Sequence, residues 1–158
     1  MENNAEKSER KDAISILMED HQDLKSGFKY YDQICNRVVK DKKELAEELC
    51  SLFMRHAIAE EEIFYPAVRE AVKGSKDMIN QAIVEHASAK DLVMQIQAME
   101  PGEELFHAKV KVLGELIEHH IKEEESEMFE KAKSASLNLV ELGARIEARK
   151  QQLAGAKQ

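Results

Sequence analysis

Two segments, HAIAEEEIFYP from His56 and HIKEEESEMFE from His120, each set a histidine and a glutamate four residues apart inside a strongly helical run. Four helical steps of about 100° bring a side chain back to within roughly 40° of its starting direction. His56 and Glu60 therefore leave one face of a helix a turn apart, and so do His120 and Glu124. Both pairs lie on lines otherwise made of apolar residues. Polar groups on such a line are costly to bury without partners, so the fold has to bring partners to them.

The same 3.6-residue periodicity organises the rest of the chain. From a cap at Asp12 to about Lys40, one stripe reads Ile14, Leu17, His21, Leu24, Phe28, Tyr31, Cys35 and Val38. A second helix, capped by Asp41 and spanning about 42–73, carries Leu45, Leu49, Leu52, His56, Glu60, Ile63 and Ala67, with Glu61 and Glu62 expected in solvent. Pro66 removes one backbone hydrogen bond and should bend this helix just beyond Glu60. Gly74-Ser75 gives a stop and a new cap. A third helix, about 76–99, shows Ile79, Ile83, His86, Val93 and Ile96, with Lys90 one turn after His86; Pro101-Gly102 follows. The fourth, about 103–133, reads Phe106, Val110, Leu113, Ile117, His120, Glu124 and Met128, and this phase selects His120 over His119. Ser134–Ser136 can cap a short fifth helix with Leu139, Leu142, Ile146 and Leu153, packed outside the others.

The interval from His21 to His56 is 35 residues and that from His86 to His120 is 34, which suggests an internal repeat of two helical hairpins. Two hairpins make an up-down-up-down four-helix bundle. The expected organisation is a tail over 1–11, the bundle over 12–133, and a C-terminal helix with a frayed end over 134–158. Composition agrees with an all-α fold: 34% charged residues, 6 glycines and 2 prolines. At about 1.5 Å per residue, five of the inward His and Glu side chains fall roughly 13–19 Å up the bundle, with His56 higher at about 25 Å.

The net charge of −8 argues against nucleic acid and anionic membranes as partners. No apolar run approaches the roughly 20 residues of a membrane helix. The polar first residues and the absence of C-x-x-C spacing at Cys35 and Cys50 read as a cytoplasmic protein with reduced thiols. Cys35, Phe28 and Tyr31 read as core, His107 as exposed, and Met94, Met99 and Met128 as packing residues.

Four inward histidines with two inward glutamates point to metal. Two buried carboxylates without cations would cost several kcal/mol each, and Lys90 is the one basic residue near these stripes. Imidazole and carboxylate without thiolate suit iron, manganese or zinc, and bridging carboxylates suit a two-metal centre. A structural zinc site usually closes with four ligands, so six fit two iron ions better.

The order lone His, His-x-x-x-Glu-Glu-Glu, lone His, His-x-x-x-Glu-Glu-Glu resembles the hemerythrin-like, or HHE cation-binding, domain. The likeness runs over about residues 12–133 and is carried most specifically by HAIAEEEIFYP and EHHIKEEESEMF. It implies a non-haem di-iron centre held by His21, His56, Glu60, His86, His120 and Glu124, bridged by Glu60, Glu124 and an oxo or hydroxo group. It further implies binding of, or reaction with, dioxygen, peroxide or nitric oxide, whether for sensing, binding or detoxification. The alternatives are iron storage or delivery, or repair of iron–sulfur clusters. Two positions depart from the family pattern. Lys90 stands where oxygen carriers have a further histidine, making it either an outer partner or a substitute ligand. Glu130 stands where Pro usually follows the helix-four Phe.

Overall fold

The apolar stripes close into a ring of four antiparallel rods. In this computed structural model, residues 10–34 and 39–156 are described. The first rod is α1 (Ala13–Ile34). The second is α2 (Val39–Ala59), a π-helical turn (Glu60–Phe64) and α3 (Tyr65–Ala71). The third is α4 (Lys76–Gln97). The fourth is α5 (Phe106–Glu123), a second π-helical turn (Glu124–Met128) and α6 (Phe129–Lys133). α1 packs on α2, α2 on α4, α4 on α5, and α5 back on α1. No strand occurs among the described residues, and no described helix is long and apolar enough to cross a membrane.

Local chemistry explains most helix ends. The Ser15 N–H donates to Asp12 Oδ1 at 2.8 Å, the cap expected there. α1 is described as far as Ile34 and α2 from Val39, and Asp41, expected as a cap, lies in the first turn of α2. Cys35, Val38 and residues 1–9 of the expected tail lie outside the described residues. Gly74 takes the left-handed conformation at φ 76°, which ends the second rod. Ser75 does not cap α4 with its side chain; its Oγ donates back to the Val72 carbonyl at 2.7 Å. The fifth helix, α7 (Leu139–Gly155), is capped by Asn138, whose side chain accepts from the Glu141 N–H, and not by Ser134–Ser136.

α7 runs along α1, α2 and the first π turn. It buries Leu142, Gly143 and Ile146. Gly143 is required by the close approach: a Cβ there would stand 2.7 Å from the Lys11 carbonyl oxygen and 2.9 Å from the Ala13 nitrogen.

Two apolar layers fill the bundle. One gathers Leu17, Phe64, Val68, Ile79, Met128 and Phe129. The other gathers Leu24, Phe53, Val93, Leu113, Ile117 and Ile121. On every rod the boundary between layers falls at the expected polar positions. Ile83, expected on the inward face of α4, is instead exposed, and the small residues Ala82 and Ala89 take the buried places.

Candidate metal centre

The slab between the two apolar layers holds His21, His56, Glu60, His86, His120 and Glu124, all at most 5% exposed. His119 points to solvent, as its phase requires. The excess height estimated for His56 disappears: its ring centroid is 4.9 Å from that of His21. One ligand atom each from His21, His56, Glu60 and Glu124 lie within 4.8 Å of one another, as do atoms from Glu60, His86, His120 and Glu124. The first hairpin thus supplies the histidines of one subsite, the second hairpin those of the other, and both glutamates belong to both.

Several close contacts inside the slab are not aligned as hydrogen bonds. His56 Nε2 is 2.7 Å from Glu60 Oε1, and His21 Nε2 is 3.2 Å from Glu124 Oε1. Yet His21 Nε2, His56 Nε2, both Glu60 oxygens and Glu124 Oε1 have no hydrogen-bond partner. Two imidazole nitrogens, His86 Nε2 and His120 Nε2, face each other at 3.0 Å. Orphaned buried acceptors and facing ring nitrogens are what donors aimed at a shared cation look like. The residues present fit a pair of metal ions.

A ring of carboxylates backs the histidines on their Nδ1 side. His56 Nδ1 meets Asp20 at 2.9 Å, His86 Nδ1 meets Glu61 at 3.2 Å, and His120 Nδ1 meets Glu85 at 3.2 Å. His21 Nδ1 lies 3.8 Å from Glu125. A carboxylate at Nδ1 holds the proton there and turns the Nε2 lone pair inward, which fixes the ring for ligation. Glu61 is therefore engaged rather than solvated. Lys90 donates to that same Glu61 carboxylate at 2.6 Å, one step behind His86. Glu62 faces solvent, as expected, and pairs with Arg149.

The π turns supply what helical periodicity misses. Each begins at a slab glutamate, and its wider i→i+5 turn brings the residue five places on back under that glutamate. In the first half this residue is Tyr65, whose ring stacks on His86 at 5.4 Å. In the second it is Phe129, stacked on His21 at 5.5 Å with planes 4° apart. The Tyr65 hydroxyl donates to Glu124 Oε2 at 2.6 Å and lies 3.2 Å from His86 Nε2 and 3.3 Å from His120 Nε2. A π turn precedes Pro66, and the same turn recurs before Glu130, where no proline stands, so this backbone does not require one.

A profile of the Hemerythrin HHE cation binding domain matches residues 12–132, the span that carries this slab. The chain belongs to the hemerythrin HHE cation-binding family. A crystal structure of a hemerythrin HHE cation-binding domain-containing protein, an Rv2633c homolog from Mycobacterium kansasii, superposes with a TM-score of 0.75. The match covers 92% of this chain and 89% of that one at 23% identity, a likeness of fold. A DNA nickase of Nostoc sp. (strain PCC 7120) is 36% identical over 74 residues, 47% of this chain. The chain spans only 20% of that relative's length.

Electrostatics in this HHE slab follow from burial against neighbours. Burial lowers the His56 imidazole, but Glu60 and Asp20 outweigh it and push it up to about 10. His120 is likewise lowered by burial and raised by Glu124, Glu60 and Glu85, ending at about 9. Burial raises the Glu124 carboxyl, yet His120 and His21 hold it well below the usual range. The Tyr65 phenol is raised by burial and by Glu124 and Glu60, so it keeps its proton. Without metal, then, the acids are balanced by imidazolium. Lys90 and metal ions are not the sole sources of positive charge that the sequence suggests.

A cleft of about 290 Å³ between α4 and the fourth rod reaches the slab. Its lining includes Asp77, Glu85, Glu123 and Glu127, with His120 and Glu124 among the lining residues. A larger groove of about 450 Å³ along α1 and α5, lined by Phe28, Tyr31 and Val110, touches none of the six slab residues.

Proposed function

We propose that this chain holds two iron ions between its hairpins and uses them to bind, or react with, dioxygen, peroxide or nitric oxide. The observation that carries the reading is the pair of four-residue groups sharing Glu60 and Glu124, with His21 Nε2, His56 Nε2, both Glu60 oxygens and Glu124 Oε1 left without hydrogen bonds. His21 and His56 would hold one ion, His86 and His120 the other, and the two glutamates would bridge. Bound iron supplies one-electron redox chemistry and an electrophilic position for a small ligand; manganese or zinc in the same donors is the alternative occupant.

The chain's own residues set the terms of that chemistry. Asp20, Glu61 and Glu85 orient the imidazoles by holding Nδ1. The Tyr65 hydroxyl, packed between His86, His120 and Glu124, holds a proton at the second subsite, where Phe129 offers none at the first. The Lys90 amine is engaged by Glu61, so it would not itself ligate on the His86 and His120 side. The cleft that reaches His120 and Glu124 provides the approach. Its acidic lining favours a second reading, acceptance and delivery of iron, over passage of anions.

DNA nicking is not carried over from the Nostoc relative, since the overlap is a fifth of that protein and the net charge of −8 opposes DNA. The test is anaerobic loading with ferrous iron followed by exposure to dioxygen, peroxide and nitric oxide. An optical change with each ligand, and its loss in His86→Ala and Glu124→Ala, is the expected result. Iron release to an acceptor with no spectral response to any of the three would favour delivery.

A further inference from the structure

The two subsites match in their carboxylate ring but differ in what stands behind it. Behind His86, the lysine that holds the carboxylate comes from α4 itself: Lys90 to Glu61 at 2.6 Å. Behind His56 it comes from α7, since Lys150 Nζ donates to Asp20 Oδ1 at 2.6 Å while Asp20 Oδ2 meets His56 Nδ1 at 2.9 Å. Asp20 is buried, and the Lys150 side chain is only 16% exposed. Glu85, the counterpart of Asp20 in the other half, has His119 and His120 as its ion-pair partners among the described residues. Lys150 lies outside the 12–132 span matched by the HHE profile, yet its amine ends one carboxylate away from a slab histidine.

We infer that Lys150 is a positioning residue for the His21 and His56 subsite, and that through Asp20 it couples metal occupancy of that subsite to docking of α7. The inference rests on the metal reading above. Asp20 sits with one oxygen on each partner, so the amine and the imidazole together fix its plane. Fixing that plane fixes the His56 ring, whose Nε2 faces Glu60. Without Lys150, the buried carboxylate is free to rotate and to draw in water, and the His56 ring loses its constraint. Outer partners of this type are typically worth about 10–100-fold in metal affinity. Coupling of this kind is reciprocal: if docked α7 helps the subsite hold metal, metal in the subsite holds α7 down. The other α7 ion pair among the described residues, Arg149 with Glu62, lies toward solvent and includes no slab residue, so it serves as a control.

The experiment uses the full chain loaded anaerobically with ferrous iron. Metal release to a chelator is followed in time, and hydrogen exchange over 139–155 is compared with and without iron. In the unaltered chain, iron is expected to slow exchange in α7. In Lys150→Met, one of the two ions should leave about 10–100-fold faster, the other at its former rate, and iron should no longer protect α7. Lys150→Arg should restore both effects, and Arg149→Ala should leave release unchanged. If Lys150→Met loosens α7 but releases both ions at the unaltered rates, the residue is a docking contact only and the inference fails while the metal reading stands. If the unaltered chain binds no iron, both fail together.

Discussion

Glu60 gives the sharpest separation between a metal ligand and a structural residue. It is fully buried, and neither carboxylate oxygen has a hydrogen-bond partner. Protonated His56 stands 2.7 Å away, its imidazole lowered by burial but pushed up to about 10 by Glu60 and Asp20. In Glu60→Gln only Asp20 is left to oppose burial, so His56 releases its proton more readily. Removing one member of a buried ion pair costs about 3–5 kcal/mol where the other stays charged, and less where the partner can release its proton. The metal-free variant should therefore melt below the unaltered chain, by no more than that cost. Metal adds a second difference. At 100 times its dissociation constant, a ligand adds about 2.7 kcal/mol to the folded state. For a chain of this size that is a rise of roughly 5–11 °C. Glu60→Gln should lose most of this rise because the glutamate serves both subsites. The assay is thermal unfolding by circular dichroism under nitrogen, with and without ferrous iron. An intact metal-induced rise in Glu60→Gln would show that Glu60 is no metal ligand and refute the reasoning.

Three further outcomes follow from particular contacts. Tyr65→Phe removes a 2.6 Å hydrogen bond to the Glu124 carboxylate and should cost the metal-free chain about 1.5–3 kcal/mol, read as a lower melting temperature. Gly143→Ala drives a Cβ into the Lys11 and Ala13 backbone and should destabilise by about 1–3 kcal/mol, with faster exchange in α7. The raised histidines set the pH response. With His56 near 10 and His120 near 9 in the metal-free fold, their stabilisation is complete below about 6.5 and is lost as pH rises through 9–10. The metal-free melting temperature should therefore fall across that window. Apparent metal affinity should rise over the same range, with about two protons released per loaded chain at neutral pH.

The sequence exposes the slab itself because helical phase is a strong signal. All six inward residues lie on apolar stripes, and the choice of His120 over His119 needs nothing beyond a 100° rotation. It hides Tyr65 and Phe129 because a π turn breaks that phase; five residues beyond a glutamate is the wrong face of a regular helix. The same change of phase explains why Phe64, Tyr65 and Val68 are buried below Glu60 where Ala67 was expected to continue the stripe. A further signal lies in the sequence itself. Asp20-His21 and Glu85-His86 repeat an acid–histidine dipeptide, and in both halves that acid binds the Nδ1 of the histidine on the neighbouring rod. Lys150 carries no such mark. Its contact with Asp20 depends on where α7 docks, and that depends on the backbone approach permitted by Gly143.

The most direct test is a count of metal per chain in protein expressed with added iron and purified without oxygen, with the element identified by mass spectrometry. Two iron ions per chain, falling in Glu60→Gln, is the result this account predicts from the two groups that share their glutamates. Fewer than one bound metal ion per chain, with Glu60 and Glu124 simply neutralised by protonated His56 and His120, would contradict it.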